Sequence, residues 1–293
     1  GCCVLAAFSS ISIAEPDPVD PAFEVDKTRP TTLLRMDTRY SPVPWSRLDF
    51  RNDPNEFQFA IVSDRTGGHR WGVFQDAIFK LNLLQPEFVM SIGDLIEGYT
   101  DDLEVLNREW DEFTGRINEL DPPFFYVAGN HDISNPTMAE LWRERFGAAH
   151  YSFIYKDVLF LCLNSNDGAM HQIGKAQTAW AEQILARHTD VRWTLVFIHR
   201  PFWDSPNEKD LAYWAPFEQA LGDREYTVFA GHYHSYTRMI RNDRRHITLA
   251  TTGGSSGLRG PSFGEFDHVA WVTMTDDGPV IANLMLDGIQ DEN

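Results

Sequence analysis

FAIVSDRTGGHR (59–70) is the stretch whose reading decides the fold. An apolar run stops at Ser63 and Asp64, and an arginine, a threonine, two glycines and a histidine follow. A carboxylate at the end of a buried strand needs a compensating charge, because an isolated ionised carboxylate is costly to remove from water. Outward from this point, strand-like and helix-like segments alternate. FQFAIV (57–62) reads as a strand, and 72–84 carries helical spacing through Val73, Phe74, Ala77, Ile78 and Leu81. FVMSI (88–92) and FFYVA (124–128) read as strands, each followed by a helix, over 102–120 and 137–146. HYSFIY (150–155) and VLFLCL (158–163) form a hairpin around Lys156 and Asp157. A helix follows over 175–188, and WTLVFI (193–198) and YTVFA (226–230) are strands on either side of a helix over 210–221. ITLATT (247–252), VAWVTM (269–274) and VIANLML (280–286) end the pattern as strands. No repeat or linker interrupts it, which predicts one α/β domain over 56–293.

Bulk properties narrow the classes. Apolar content is 43%, aromatic content is 13% and the 16 prolines are thinly spread, so the chain is globular rather than disordered. A formal charge of -18 makes a nucleic-acid backbone a poor partner without a local basic patch. Arg238, Arg241, Arg244 and Arg245 form only a short basic cluster. The acidic balance does not exclude a phosphorylated substrate, since bound cations dominate the local field. The segment 15–55, rich in Pro, Asp and Arg, reads as an extended lead-in. Ahead of it, 1–14 is apolar and small, and Ser12-Ile13-Ala14 fits a small-x-small cleavage site. It reads as the remnant of an export signal, with an apolar tail, a short anchor or the end of a lipoprotein signal as alternatives. The expected location is therefore periplasmic or extracellular, free or lipid-anchored, rather than cytoplasmic. No run reaches the roughly 18 apolar residues of a membrane span. Cys162 is the one cysteine outside the leader, in VLFLCLN, where a buried inert thiol is expected.

Five strands run into polar residues at their carboxyl ends. They deliver Asp64; Gly93 and Asp94; Gly129-Asn130-His131-Asp132; His199-Arg200-Pro201; and Gly231-His232-Tyr233-His234. Ligands of open α/β sheets bind outside the carboxyl ends of strands, so these clusters are expected on one rim. The glycines let the backbone turn away from the sheet. Carboxylate, amide oxygen and imidazole suit hard or borderline cations. A carboxylate can bridge two of them, and paired ions about 3.5–4 Å apart clamp the attacking and leaving oxygens of phosphoryl transfer. Asp64 then ends a buried strand because a cation neutralises it. A single His-x-His or Gly-Asp is common by chance. Gly-Asn-His-Asp with Gly-His-x-His, both at strand ends and in this order, is specific.

On these residues the sequence resembles the calcineurin-like metallophosphoesterases, which include the purple acid phosphatases and many phosphodiesterases, over about 57–252. The resemblance implies a four-layer α/β/β/α sandwich of two mixed sheets flanked by helices. It implies a dinuclear centre of divalent or trivalent Mn, Fe or Zn. The implied reaction is hydrolysis of a small-molecule or macromolecular phosphate ester by a metal-activated hydroxide. Carried over residue by residue, Asp94 bridges the ions, Asp64 and His234 bind the first, and Asn130, His199 and His232 bind the second. His131 would meet the phosphate and protonate the leaving oxygen, with Asp132 orienting its ring, since a carboxylate raises an imidazole's pKa and fixes its tautomer.

The first motif departs from that pattern. Most relatives carry Asp-x-His, and here the residues are Asp64-Arg65-Thr66, with threonine a poor ligand. Glu97, three residues after Asp94, is the preferred replacement, at the position where purple acid phosphatases carry a tyrosine; Tyr99 is less well placed. His69 folding back across Gly67 and Gly68 is a second reading, and a weak or empty first position is a third. Arg65 either holds a phosphate oxygen with its planar fork or pairs with a neighbouring carboxylate. Phe202 and Trp203 either stack on a leaving group or pack, and the Gly253-Gly254-Ser255-Ser256 run either lines the pocket or is a loop. His171, on a loop after a strand, is the one remaining histidine worth testing. The rival to hydrolysis is a non-catalytic or single-metal relative serving as a binding or scaffold module. A closed structural metal fits poorly with an asparagine ligand. Substrate identity, metal identity and oligomeric state are not legible in the sequence.

Overall fold

The computed structural model describes residues 53–167 and 171–289, so the expected export-signal remnant and nearly all of the lead-in lie outside the described residues. Its strands and helices follow in the order β1 (Phe57–Val62), α1 (Val73–Leu84), β2 (Val89–Ser91), α2 (Leu103–Ile117), β3 (Phe124–Phe125) and α3 (Pro136–Phe146). Next come β4 (Tyr151–Tyr155), β5 (Val158–Leu163), α4 (Lys175–Arg187), β6 (Trp193–Ile198), α5 (Glu208–Leu221) and β7 (Tyr226–Ala230). β8 (Thr237–Arg241), β9 (Arg244–Thr248), β10 (His268–Thr275) and β11 (Gly278–Met285) complete it.

Two mixed sheets form, in the orders β11-β10-β1-β2-β3 and β4-β5-β6-β7-β9-β8. Side-chain alternation within single strands builds the layers. β1 sends Phe57, Phe59 and Ile61 into the space between the sheets, and Ala60 and Val62 outward onto α1 to α3. β5 sends Val158, Phe160 and Cys162 into that same central layer, and Leu159, Leu161 and Leu163 outward to a third core with α4 and α5. Strands covered on both faces read as continuous apolar runs, which is why FQFAIV and VLFLCL lack polar alternation. The result is the expected four-layer sandwich of helices, sheet, sheet and helices. Cys162 is buried and its thiol is pushed up to about 12 by burial, an inert group.

Three local readings change. Of FFYVA only Phe124 and Phe125 pair with β2, because Val127 donates its N–H to the Ser91 hydroxyl instead of to a ladder carbonyl. β8 has no counterpart in the sequence reading. It turns through Asn242 and Asp243, both in the left-handed region (φ 47° and 58°), into β9, the conformation of a tight hairpin. Four arginines in this hairpin mask its strand alternation. Arg241 pairs with Glu218 and Arg244 with Glu225, so half of the short basic cluster is neutralised. The strand expected over 247–252 pairs through Thr248 and then carries Thr252 and Gly254 to the carbonyl of Asp64.

Candidate metal centre

β1, β2 and β3 run parallel in one sheet, and β6 and β7 run parallel in the other. Their carboxyl ends meet on one rim. The crossing is held by backbone: His199 Nδ1 lies 2.9 Å from the carbonyl of Ile92, and the N–H of His232 donates to Asp64 Oδ1 at 2.8 Å. Gly129 and Gly231 are needed for this approach, because a Cβ on either would collide with the carboxylate of Asp94 or Asp64 respectively. Asp94, His232 and His234 hold positive φ angles of 56°, 73° and 54°. Such backbone is uncommon outside glycine and collects at functional sites.

Two donor groups result. Asp64, Asp94 and His234 form one, and Asp94, His199 and His232 form the other, with the atoms of each group within 4.8 Å of one another. His199 Nε2 lies 3.2 Å from Asp94 Oδ2 and 3.1 Å from Asn130 Oδ1, which brings the amide oxygen into the second group. His234 Nε2 lies 3.5 Å from Asp64 Oδ1. In both imidazoles Nδ1 faces a carbonyl, of Ile92 and of Ser255, so Nδ1 keeps a proton and Nε2 is the atom that a cation would take in place of a proton.

The donors fit a cation pair. Asp64 and Asp94 are buried, and among the described residues neither pairs with lysine or arginine; their neighbours are histidines. Burial works to raise the Asp64 carboxyl, yet the His234 hydrogen bond and His199 hold it below the usual range. Burial likewise works to lower His199, and the Asp94 and Asp64 carboxylates push it up to about 9. Positive charge is thus what this pocket of carboxylates demands, and in their company an imidazole proton supplies it. His232 is driven the other way, to about 2, by burial and then by the charges of His199 and Arg200, which leaves the neutral, ligating form.

Several assignments from the sequence need correction. Glu97 joins neither donor group: its Oε1 accepts the backbone N–H of His69 at 2.8 Å and of Gly68 at 3.3 Å, closing the glycine turn. His69 stays outside both groups as well, its ring packed on Trp71. Thr66 is buried and its hydroxyl lies 2.7 Å from the Ile96 carbonyl and 2.9 Å from that of Asp94, so it staples two loops. The first group therefore has three donors from the described residues. Three protein ligands with an open position is the pattern of catalytic sites in the zinc enzymes.

Asp132 does not orient His131. Its carboxylate accepts the backbone N–H groups of Asp94, Leu95, Ile96 and Gly129, and so fixes the loop that carries Asp94. Burial and the nearby Asp94 hold it up to about 6 against those donors. The His131 ring is set by the Glu97 carbonyl, 2.7 Å from Nδ1. Arg65 is no phosphate clamp either. It pairs with Glu112, donates to the Leu95 carbonyl at 2.7 Å and lies over the rings of Phe74 and Phe113. Phe202 and Trp203 are core residues against α5, and His171 is exposed and joins neither group. Ser255 and Ser256 do line the cleft over the centre, which has a volume of about 580 Å³ and also exposes His131, Asn130 and Tyr233.

Sequence reasoning undervalued Tyr99. Its hydroxyl accepts from Asn130 Nδ2 at 2.8 Å, which turns Oδ1 of that amide toward His199, and its ring meets the His131 ring edge-on at 4.6 Å. The only signal was its place two residues after Glu97. Groups that orient metal ligands typically contribute 10–100-fold in metal affinity. Tyr99→Phe should therefore weaken retention of one ion by about tenfold, read as faster loss to a chelator at unchanged melting temperature.

Residues 57–243 match the family model described as calcineurin-like phosphoesterase. Among curated proteins, the serine/threonine-protein phosphatase CPPED1 of Rattus norvegicus is 29% identical over 193 residues, covering 57% of this chain and 62% of the rat protein. The match thus spans about three-fifths of that relative's length. Among solved structures, a dimetal phosphatase from Danio rerio superposes with a TM-score of 0.61 at 16% identity, covering 78% of this chain and 96% of its own. GAP50, the anchor in the inner membrane complex of Plasmodium, superposes with a TM-score of 0.60 at 16% identity, covering 81% of this chain and 87% of its own. At such identities the likeness is one of fold.

Proposed function

Because the chain belongs to the calcineurin-like phosphoesterase family, we propose that it hydrolyses phosphate esters at a two-cation centre held by Asp64, Asp94, Asn130, His199, His232 and His234. The observation that supports this most is the presence of Asp94 in both donor groups, the arrangement a bridging carboxylate needs. When bound, Mn, Fe or Zn supplies Lewis-acid polarisation of the phosphoryl group and activates water at neutral pH. The chain's own residues do the rest. Asp64 and Asp94 concentrate negative charge where the cations belong. His131 presents Nε2 to the cleft while the Glu97 carbonyl holds Nδ1–H, so the imidazolium form, with its second proton on Nε2, can pass that proton to the departing oxygen and return to the neutral ring. The name of the curated relatives supports a phosphorylated serine or threonine as the ester, with a small-molecule ester as the other choice.

The second reading is a binding or scaffold module. Thr66 in place of a metal-binding histidine favours it, and the fold also serves the Plasmodium anchor. Metal removal separates the two. Protein loaded with Mn²⁺ or Zn²⁺ should carry about two ions per chain and hydrolyse p-nitrophenyl phosphate, bis-p-nitrophenyl phosphate or a phosphoserine peptide. Chelation should abolish turnover, and re-addition should restore it. Loaded protein inert toward all three substrates would sink the enzyme reading.

A further inference from the structure

Arg200 follows His199 at the end of β6 and is half-buried. Its Nη1 lies 2.7 Å from His232 Nε2, and its Nε lies 3.4 Å from Asn166 Oδ1. Asn166 is itself fixed by donating to the Ile133 carbonyl at 2.8 Å. No ion pair to Arg200 occurs among the described residues, whereas Arg65, Arg70, Arg192, Arg241 and Arg244 each have a carboxylate. No hydrogen bond among the described residues uses its Nη2. Asp94 and Asp210 act on this partly buried guanidinium only through space, from beyond ion-pair distance. A directly paired anion would therefore stabilise it further.

We propose that Arg200, in contact with His232 beside the metal centre, is an anion receptor, and that it makes a phosphomonoester dianion preferred over a diester monoanion. This rests on the phosphoesterase reading above. Nη1 touches a residue of the second donor group, so a phosphoryl group over that group lies within reach of the fork. A monoester carries about two negative charges near neutral pH, and the second is held on oxygens that a diester has esterified. Planar bidentate donation to such oxygens is specific to arginine; lysine offers only a point charge.

The test compares wild type, Arg200→Gln and Arg200→Lys, all metal-loaded. Three quantities are read: inorganic phosphate affinity by calorimetry, kcat/KM on p-nitrophenyl phosphate and its bis-ester, and bound metal by elemental analysis. A hydrogen bond to a charged group is worth about 10- to 100-fold. Arg200→Gln should weaken phosphate by that factor and cut the monoester-to-diester ratio about tenfold or more, with metal content unchanged. Arg200→Lys should recover only part of the loss. Unchanged phosphate affinity, an equal loss on both esters, or loss of metal in both variants would overturn the proposal; the last would make Arg200 a support for His232. A wild type that binds phosphate without turnover refutes the hydrolase reading, while the calorimetry still reports on Arg200.

Discussion

Asp94→Asn is expected to reduce bound metal from about two ions per chain to fewer than one, and to lower turnover by about 10³-fold or more. Asp94 belongs to both donor groups, so losing its charge weakens both positions at once. Several kcal/mol of transition-state charge stabilisation depends on those cations, at about 1.36 kcal/mol per decade of rate. Asparagine is chosen because the fold should survive it. The residue sits at φ 56°, which asparagine adopts readily. Its side-chain oxygen can still accept the backbone N–H of His131, as Asp94 Oδ1 does at 2.9 Å. The melting temperature of the metal-free variant should therefore stay within about 4 °C of metal-free wild type, the shift that about 1 kcal/mol produces. Elemental analysis and the melting curve together decide the matter. Full metal content in the variant would show that Asp94 is not the shared ligand.

His131→Ala should behave in the opposite way, keeping both ions and losing rate. The His131 imidazole belongs to neither donor group, and its backbone N–H, which holds Asp94, remains after the substitution. General acid catalysis is typically worth about 10²–10⁴-fold. That full loss is expected for a phosphoserine peptide, whose alkoxide leaves poorly without a proton. On p-nitrophenyl phosphate, whose phenolate departs unaided, less than about tenfold of it should appear. The contrast between substrates is the discriminating measurement. An equal loss on both would make His131 a phosphate contact instead of a proton donor, and a fall in metal content would make it a support for the centre.

These predictions draw unequally on sequence and structure. The motif that places Asp94 and His131 was legible because each donor follows an apolar strand and a glycine within a few residues. Glu97 was misread because spacing after Asp94 says nothing about side-chain direction; its carboxylate turns to the Gly68 and His69 amides across 29 and 28 residues. Arg65 was ambiguous until Glu112, 47 residues away, proved to be its partner. Asp132 neighbours His131 in the chain yet serves four amides of the loops around it.

The sequence alone determined an α/β domain and the rim on which the donors gather, because apolar strand runs and strand-end glycines are properties of short stretches of backbone, while the four layers were implied by the family resemblance. Only the tertiary structure decided which donors share a group, which carboxylates serve the backbone, and that Tyr99 meets Asn130 and Arg200 meets His232. A hydrogen bond or a ligand position depends on atoms coming within about 3 Å. Residues distant in the chain meet at that separation only once both sheets have packed.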